Sequence, residues 1–115
     1  MTKPLTIKLS VFHDYLINVE VAPNIEKALE RYKDVFKIEG WGGEEETNAI
    51  TVHENWESYI FLRPKATAGT IAHESWHVIA EIAEKTGMKL DDESAAYHLG
   101  FVVDKIHTYV RRRGR

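Results

Sequence analysis

The chain has 115 residues, with 15 Lys and Arg against 18 Asp and Glu, a formal charge of -3, and no Cys. The lack of Cys removes disulfides, thiolate zinc sites and Cys nucleophiles together, so any bound metal must use His and carboxylates. The charge balance carries no general nucleic-acid footprint, and no apolar run approaches the ~20 residues needed to span a bilayer. One domain over residues 1–115 is predicted, large enough for a single core but too small for a separate substrate-binding lobe. Met1-Thr2-Lys3-Pro4 leads into alternating residues instead of an apolar signal core, which predicts a cytoplasmic protein.

Leu5, Ile7, Leu9 and Val11 alternate with polar residues, and after His13-Asp14 so do Tyr15, Ile17, Val19 and Val21. Period two on both sides of a short polar break predicts a β-hairpin with one buried face and His13 in the turn. Pro23-Asn24 then supplies a boundary and an N-cap, and Ile25, Ala28, Leu29, Tyr32, Val35 and Phe36 recur at helical spacing, predicting an amphipathic helix over 25–36. Residues 38–48 are Gly-rich and acidic, with Gly40, Trp41, Gly42 and Gly43 before Glu44, Glu45 and Glu46, which predicts a loop. No Lys follows those glycines, so a phosphate-binding loop is not indicated. Ile50 and Val52 alternate, Glu54-Asn55 offers a turn, and Ser58 to Leu62 is rich in strand formers, predicting a second hairpin.

A helix is expected from Thr67 or Thr70 to Thr86, stopped by Gly87. After a short connection, Asp91 or Asp92 caps a last helix through about Arg112, with a buried stripe of Ala95, Ala96, Leu99, Val102, Val103, Ile106 and Val110. Its tail, Arg111, Arg112, Arg113 and Arg115, suits the negative end of a helix dipole and is otherwise the one place for a phosphate contact.

The first of these two helices carries His73-Glu74-Ser75-Trp76-His77, of the form His-Glu-x-x-His. Residues four apart on a helix sit one above the other, so His73 and His77 point the same way and can grip one metal ion, with Glu74 beside them. Thr70, His73, Glu74, His77, Glu81, Glu84 and Lys85 fall on one arc of about 120°, the polar side of an amphipathic helix. Such an arc is either a solvated face or the floor of a cleft. Two imidazoles leave a catalytic zinc one protein ligand short. Glu81 lies about 6 Å further along the axis than His77, and Glu84 further still, so neither shares their metal. The last helix offers Glu93 and His98, while His53 and His107 stand apart from every motif.

The flanks extend the pattern: Thr70 three before the first His, Ile71 and Ala72, uncharged Ser75 and Trp76 inside, and apolar Val78 and Ile79 after it. On these residues, 70–110, about a third of the chain, resembles the small His-Glu-x-x-His metallopeptidase-like proteins of bacteriophage and prophage genomes, and more broadly a minimal gluzincin. The resemblance implies a zincin-like α+β fold: two β-hairpins with a helix between them, then the active-site helix and a C-terminal helix carrying the third ligand. It implies Zn2+ held by His73, His77 and Glu93, Glu74 as general base, and hydrolysis of a peptide or amide bond in a peptide or protein substrate. It also implies a phage-encoded protein in a bacterial host.

Glu93-Ser94-Ala95-Ala96-Tyr97 matches the family's Glu followed by Ala-Tyr, and on that match Glu93 is the third ligand. A tight antiparallel hairpin would instead put residues near Gly100 opposite His77, so Glu93 requires a connection that doubles back over about 13 to 16 Å. His98 stands where the family usually has an apolar residue, leaving it as ligand, transition-state donor or surface residue. Tyr97 is either a group that steadies an oxyanion or orients a ligand, or a buried aromatic. In zincins the strand before the active-site helix often receives the substrate in extended form, which makes Tyr59 to Leu62 the expected binding edge. The rival of another class is a catalytically weak or inactive zinc-binding module of zincin fold that docks a partner.

Overall fold

Period two becomes strand and period 3.6 becomes helix along most of the chain in the computed structural model, which describes residues 3–32 and 49–113. β1 (Leu5–Leu9) and β2 (Tyr15–Val21) pair antiparallel, joined through a 3-10 turn at Ser10–Phe12 and two left-handed residues, His13 (φ 55) and Asp14 (φ 61). Val11 continues the sequence alternation but lies in the turn and is exposed, so the first strand ends sooner than its pattern does. α1 (Ile25–Glu30) starts where Asn24 Oδ1 accepts from the Lys27 amide at 3.0 Å. It ends six residues short of the expected Phe36; residues 33–36 and the Gly-rich loop 38–48 lie outside the described residues.

β3 (Ala49–Glu54) and β4 (Glu57–Leu62) form the second hairpin, turning at Asn55 with φ 56. The sheet order is β1-β2-β4-β3, with β4 parallel to β2. This overturns the expectation that Tyr59 to Leu62 is an open edge: β4 is an inner strand, and among the described residues β3 is the edge. The cause is burial on both faces. Ser58, Ile60 and Leu62 are buried on one side of β4 and Phe61 on the other, whereas every residue of β3 is half-buried. A strand apolar on both faces belongs inside a sheet.

The two faces are covered separately. α1 packs Ile25, Ala28 and Leu29 with Phe61 on one face, where Arg31 also bonds the largely buried Glu20 carboxylate at 2.8 Å. On the other face lie α2 (Ala68–Thr86) and α3 (Glu93–Arg113), which set Ile71, Val78, Ile79, Ile82, Val102, Ile106 and Val110 against Ile7, Tyr15, Ile17, Val19, Ile60 and Leu62. The last helix buries a narrower stripe than expected, because Ala96 is exposed and Leu99 and Val103 are half-buried. The result is a small α+β domain with a four-stranded mixed sheet.

Gly87 closes α2 with φ 79, donating its amide to Ala83 O at 2.9 Å. A Cβ there meets nothing within 4 Å, so the cost of Gly87→Ala is that of the left-handed backbone alone. The expected destabilisation is about 1 kcal/mol, read by urea denaturation with an unchanged m-value.

Candidate metal centre

Thr67 starts α2 by accepting from the Thr70 amide at 3.2 Å, and the burial of Ile71, Val78, Ile79 and Ile82 then fixes the helix's rotation about its axis. With that stripe against the sheet, the polar arc is turned toward edge strand β3. Strand register supplies what it meets. The residues paired across β2, β4 and β3 form rows Val21-Leu62-Ala49, Val19-Ile60-Thr51 and Ile17-Ser58-His53. Each row becomes smaller or more polar at β3, so small Ala49 and polar Thr51 and His53 form the margin beneath α2.

His73 Nε2 and His77 Nε2 converge to 3.1 Å. Two nitrogens bound to one tetrahedral zinc stand about 3.4 Å apart, given Zn–N bonds of about 2.0 to 2.1 Å, so the pair is within a few tenths of an ångström of ligating geometry. Glu74 Oε2 lies 3.7 Å from His73 Nε2, and ligand atoms of His73, Glu74 and His77 all fall within 4.8 Å of one another. Imidazole nitrogen with carboxylate oxygen is a donor set that zinc accepts. The three differ in exposure: the His73 side chain is 69% accessible and that of Glu74 only 9%. Glu74 therefore sits below the His pair, its Oε1 accepting from Thr51 Oγ1 at 2.9 Å. A cleft of about 500 Å³ opens beside them, lined by Ala49, Thr67, Gly69, Thr70, His73 and Glu74.

One turn beyond His77, the same face meets His53. Its Nε2 lies 3.9 Å from Glu81 Oε2, and its Nδ1 lies 2.8 Å from Ser58 Oγ, which in turn is 2.6 Å from Tyr15 Oη. Burial holds the His53 proton affinity below the ordinary value of 6.5; Glu81 opposes this, and His77 and Lys85 reinforce it. Burial likewise raises the Tyr15 proton affinity, against the hydrogen bond shared with Ser58 that lowers it. Neither Thr51, His53, Ser58 nor Tyr15 belongs to a sequence motif. The available signal was parity: Thr51 and His53 share a strand face that is otherwise small, beside a helix with an acidic and His-bearing arc.

The remaining candidates lie elsewhere. α3 runs back directly along α2. At its start, the His98 ring packs 4.6 Å from Phe12, whose carbonyl accepts from Trp56 Nε1, and Lys85 lies over the Trp56 ring. At its other end, Tyr109 Oη donates to Lys3 O. Glu93 is exposed in the first turn of α3, near the Lys85 end of α2, and is not in the group that His73, Glu74 and His77 form. Lys85 stands about 18 Å along the helix from His73. Tyr97 is 68% exposed, which excludes a buried aromatic, and lies edge-on to His98. His98 Nδ1 bonds Ser94 O at 2.7 Å, and His107 is half-buried on α3. Arg111 and Arg112 are exposed at the end of α3.

No helix of the described residues is long and apolar enough to cross a membrane. Comparison with known protein families, with curated proteins and with solved structures finds no match for this chain.

The depressed proton affinity of His53 sets a pH dependence. The unfolded chain takes up this proton near the ordinary value of 6.5 and the folded chain only at lower pH. The unfolded state thus binds more protons in that window, so the contribution of neutral His53 is complete above the unfolded value and is lost as pH falls below it. NMR titration is expected to give His53 a midpoint below 6.5. The fall in stability between pH 7 and pH 5 is expected to be smaller in His53→Gln.

Proposed function

We propose that this chain is a zinc-dependent metallopeptidase of zincin-like fold, of the kind found in phage and prophage genomes, which hydrolyses a peptide or amide bond. The observation that carries this is the convergence of His73 and His77 nitrogens at 3.1 Å above a sheltered glutamate that faces an open cleft. Solvated surface His residues do not require a carboxylate beneath them held by a strand hydroxyl.

His73 and His77 would hold the ion as neutral imidazoles through Nε2, which leaves it electrophilic. When bound, zinc supplies Lewis-acid polarisation of the scissile carbonyl and activation of a water. Glu74 takes the proton of the attacking water and passes it to the leaving amine. Its placement suits a general base, because the Thr51 hydroxyl occupies Oε1 and leaves Oε2 on the side of the His pair. The substrate lies extended along β3, whose outer side carries no strand among the described residues and whose first residue, Ala49, borders the cleft.

The family pattern alone makes Glu93 the third protein ligand, against its position in the first turn of α3 outside the group of His73, Glu74 and His77, and zinc content tests it. Loss of zinc in Glu93→Ala assigns it that position; full occupancy leaves the metal to the His pair. Glu74→Gln is expected to keep about one zinc per chain, as wild type does, while cleavage of an internally quenched peptide library falls by at least about 100-fold. Metal analysis beside the cleavage assay separates the outcomes. Zinc uptake by the unmodified protein without cleavage would favour the zinc-binding partner module, and no zinc uptake overturns both.

A further inference from the structure

The hydrogen bonds that end at His53 determine which of its nitrogens carries a proton. Tyr15 is fully buried, and its hydroxyl has Ser58 Oγ as its partner at 2.6 Å. Ser58 is also fully buried, and its second neighbour is His53 Nδ1 at 2.8 Å. A phenol and a serine hydroxyl each have one proton to donate, and both can accept. If His53 Nδ1 carried a proton, it would donate to Ser58, and Ser58 would either accept from Tyr15 as well, which strands its own buried proton, or donate to Tyr15. Either way one hydroxyl proton would be buried with no acceptor among the described residues, which is costly. The opposite order satisfies both buried hydroxyls: Tyr15 donates to Ser58, Ser58 donates to Nδ1, and the single proton of the neutral ring lies on Nε2.

That Nε2–H has no close acceptor among the described residues. Glu81 Oε2 is 3.9 Å away, beyond hydrogen-bond range, and the other oxygen of that carboxylate faces Lys85 Nζ at 3.7 Å. The direction is informative. Two residues of strand advance about 6.7 Å, and the seven residues from Glu74 to Glu81 advance about 10.5 Å along the helix. Since Thr51 meets Glu74 and His53 meets Glu81, the His53 ring stands alongside the stretch of α2 that holds His77. The influence of His77 on the His53 proton affinity agrees with that position. A protonated nitrogen is a donor and not a metal ligand.

We propose that Ser58 and Tyr15 hold His53 as its Nε2–H tautomer, and that this N–H donates to the carbonyl oxygen of an extended peptide lying along β3, an inference that rests on the zinc-site function proposed above. His53 is then a catalytic residue whose bond strengthens as the carbonyl oxygen gains negative charge, while Ser58 and Tyr15 are positioning residues. Uncharged His53 leaves the electrophile undisturbed and adds a directed dipole where charge develops.

The test begins with the unmodified, zinc-loaded protein. Nitrogen-15 correlation spectra of the imidazoles are expected to show His53 protonated at Nε2 and unprotonated at Nδ1, with the single tautomer lost in Ser58→Ala. The second measurement is the affinity of the zinc-loaded protein for a phosphinic tripeptide with alanine side chains, a stable mimic of the tetrahedral oxyanion. His53→Ala is expected to retain full zinc and to bind this probe about 100-fold more weakly, with His53→Gln, whose amide keeps a donor near Nε2, recovering most of the affinity. An Nδ1–H tautomer, unchanged probe affinity in His53→Ala, or loss of zinc from that variant would each overturn the assignment of His53 while leaving the His73 and His77 centre standing. Failure of the unmodified protein to take up zinc would overturn the metal reading and the target of His53 with it.

Discussion

Glu74 is a carboxylate withdrawn from water at the seam between α2 and β3, and the hydroxyl of Thr51 makes that placement tenable. An unpartnered buried carboxylate is strongly disfavoured, so the bond at 2.9 Å constrains both elements at once. The rotation of α2 is set on its other side by Ile71, Val78, Ile79 and Ile82, all fully buried. Turning the helix by one residue would either lift Glu74 to the exposed place of His73 or move His73 into its buried place and Glu74 deeper, to that of Ser75. Core packing and the Thr51 contact thus agree on one orientation. In that orientation the two imidazoles stand at the rim and the carboxylate below them.

The same division into faces explains why the sheet is built as it is. Ile17, Ser58 and His53 lie in one row, and the row changes from apolar at the centre to ionisable at the margin. A histidine in the middle strand would have no access to solvent or ligand. At the edge it is half-buried, close enough to Ser58 to be oriented and open enough to face α2. β3 consequently supplies Ala49 to the cleft and Thr51 and His53 to the polar face of α2 as well as forming a strand of the sheet.

Much of this was legible in the residues themselves. Period two located both hairpins, Asn24 marked the start of α1, Gly87 the end of α2, and the spacing of His73 and His77 brought their nitrogens together. What the pattern did not carry was the meeting of distant elements. Two hairpins do not specify which of their edges join, although Ile60, Phe61 and Leu62, apolar on both faces of one strand, pointed to an inner position for β4. His53 looked isolated because its partners Ser58, Glu81 and Tyr15 come from three other elements. Glu93 drew attention through its match to a family pattern, whereas the short connection after Gly87 returns α3 directly and starts it at the Lys85 end of α2. The polar arc of α2 was identified correctly, but only the fold distinguishes an arc facing water from one facing a strand.

The parallel ladder between β2 and β4 also orders events in time. Each hairpin closes over a few residues, and α2 needs only its own sequence to bring two imidazoles within reach of each other. The central ladder instead joins Ile17 to Ser58, 58 − 17 = 41 positions apart, and contacts at such separation carry a loop-closure penalty that slows their formation. Ser58 meets Tyr15 only through that ladder. The imidazole pair is therefore a product of local folding, while the orientation of His53 waits on the slowest pairing in the chain.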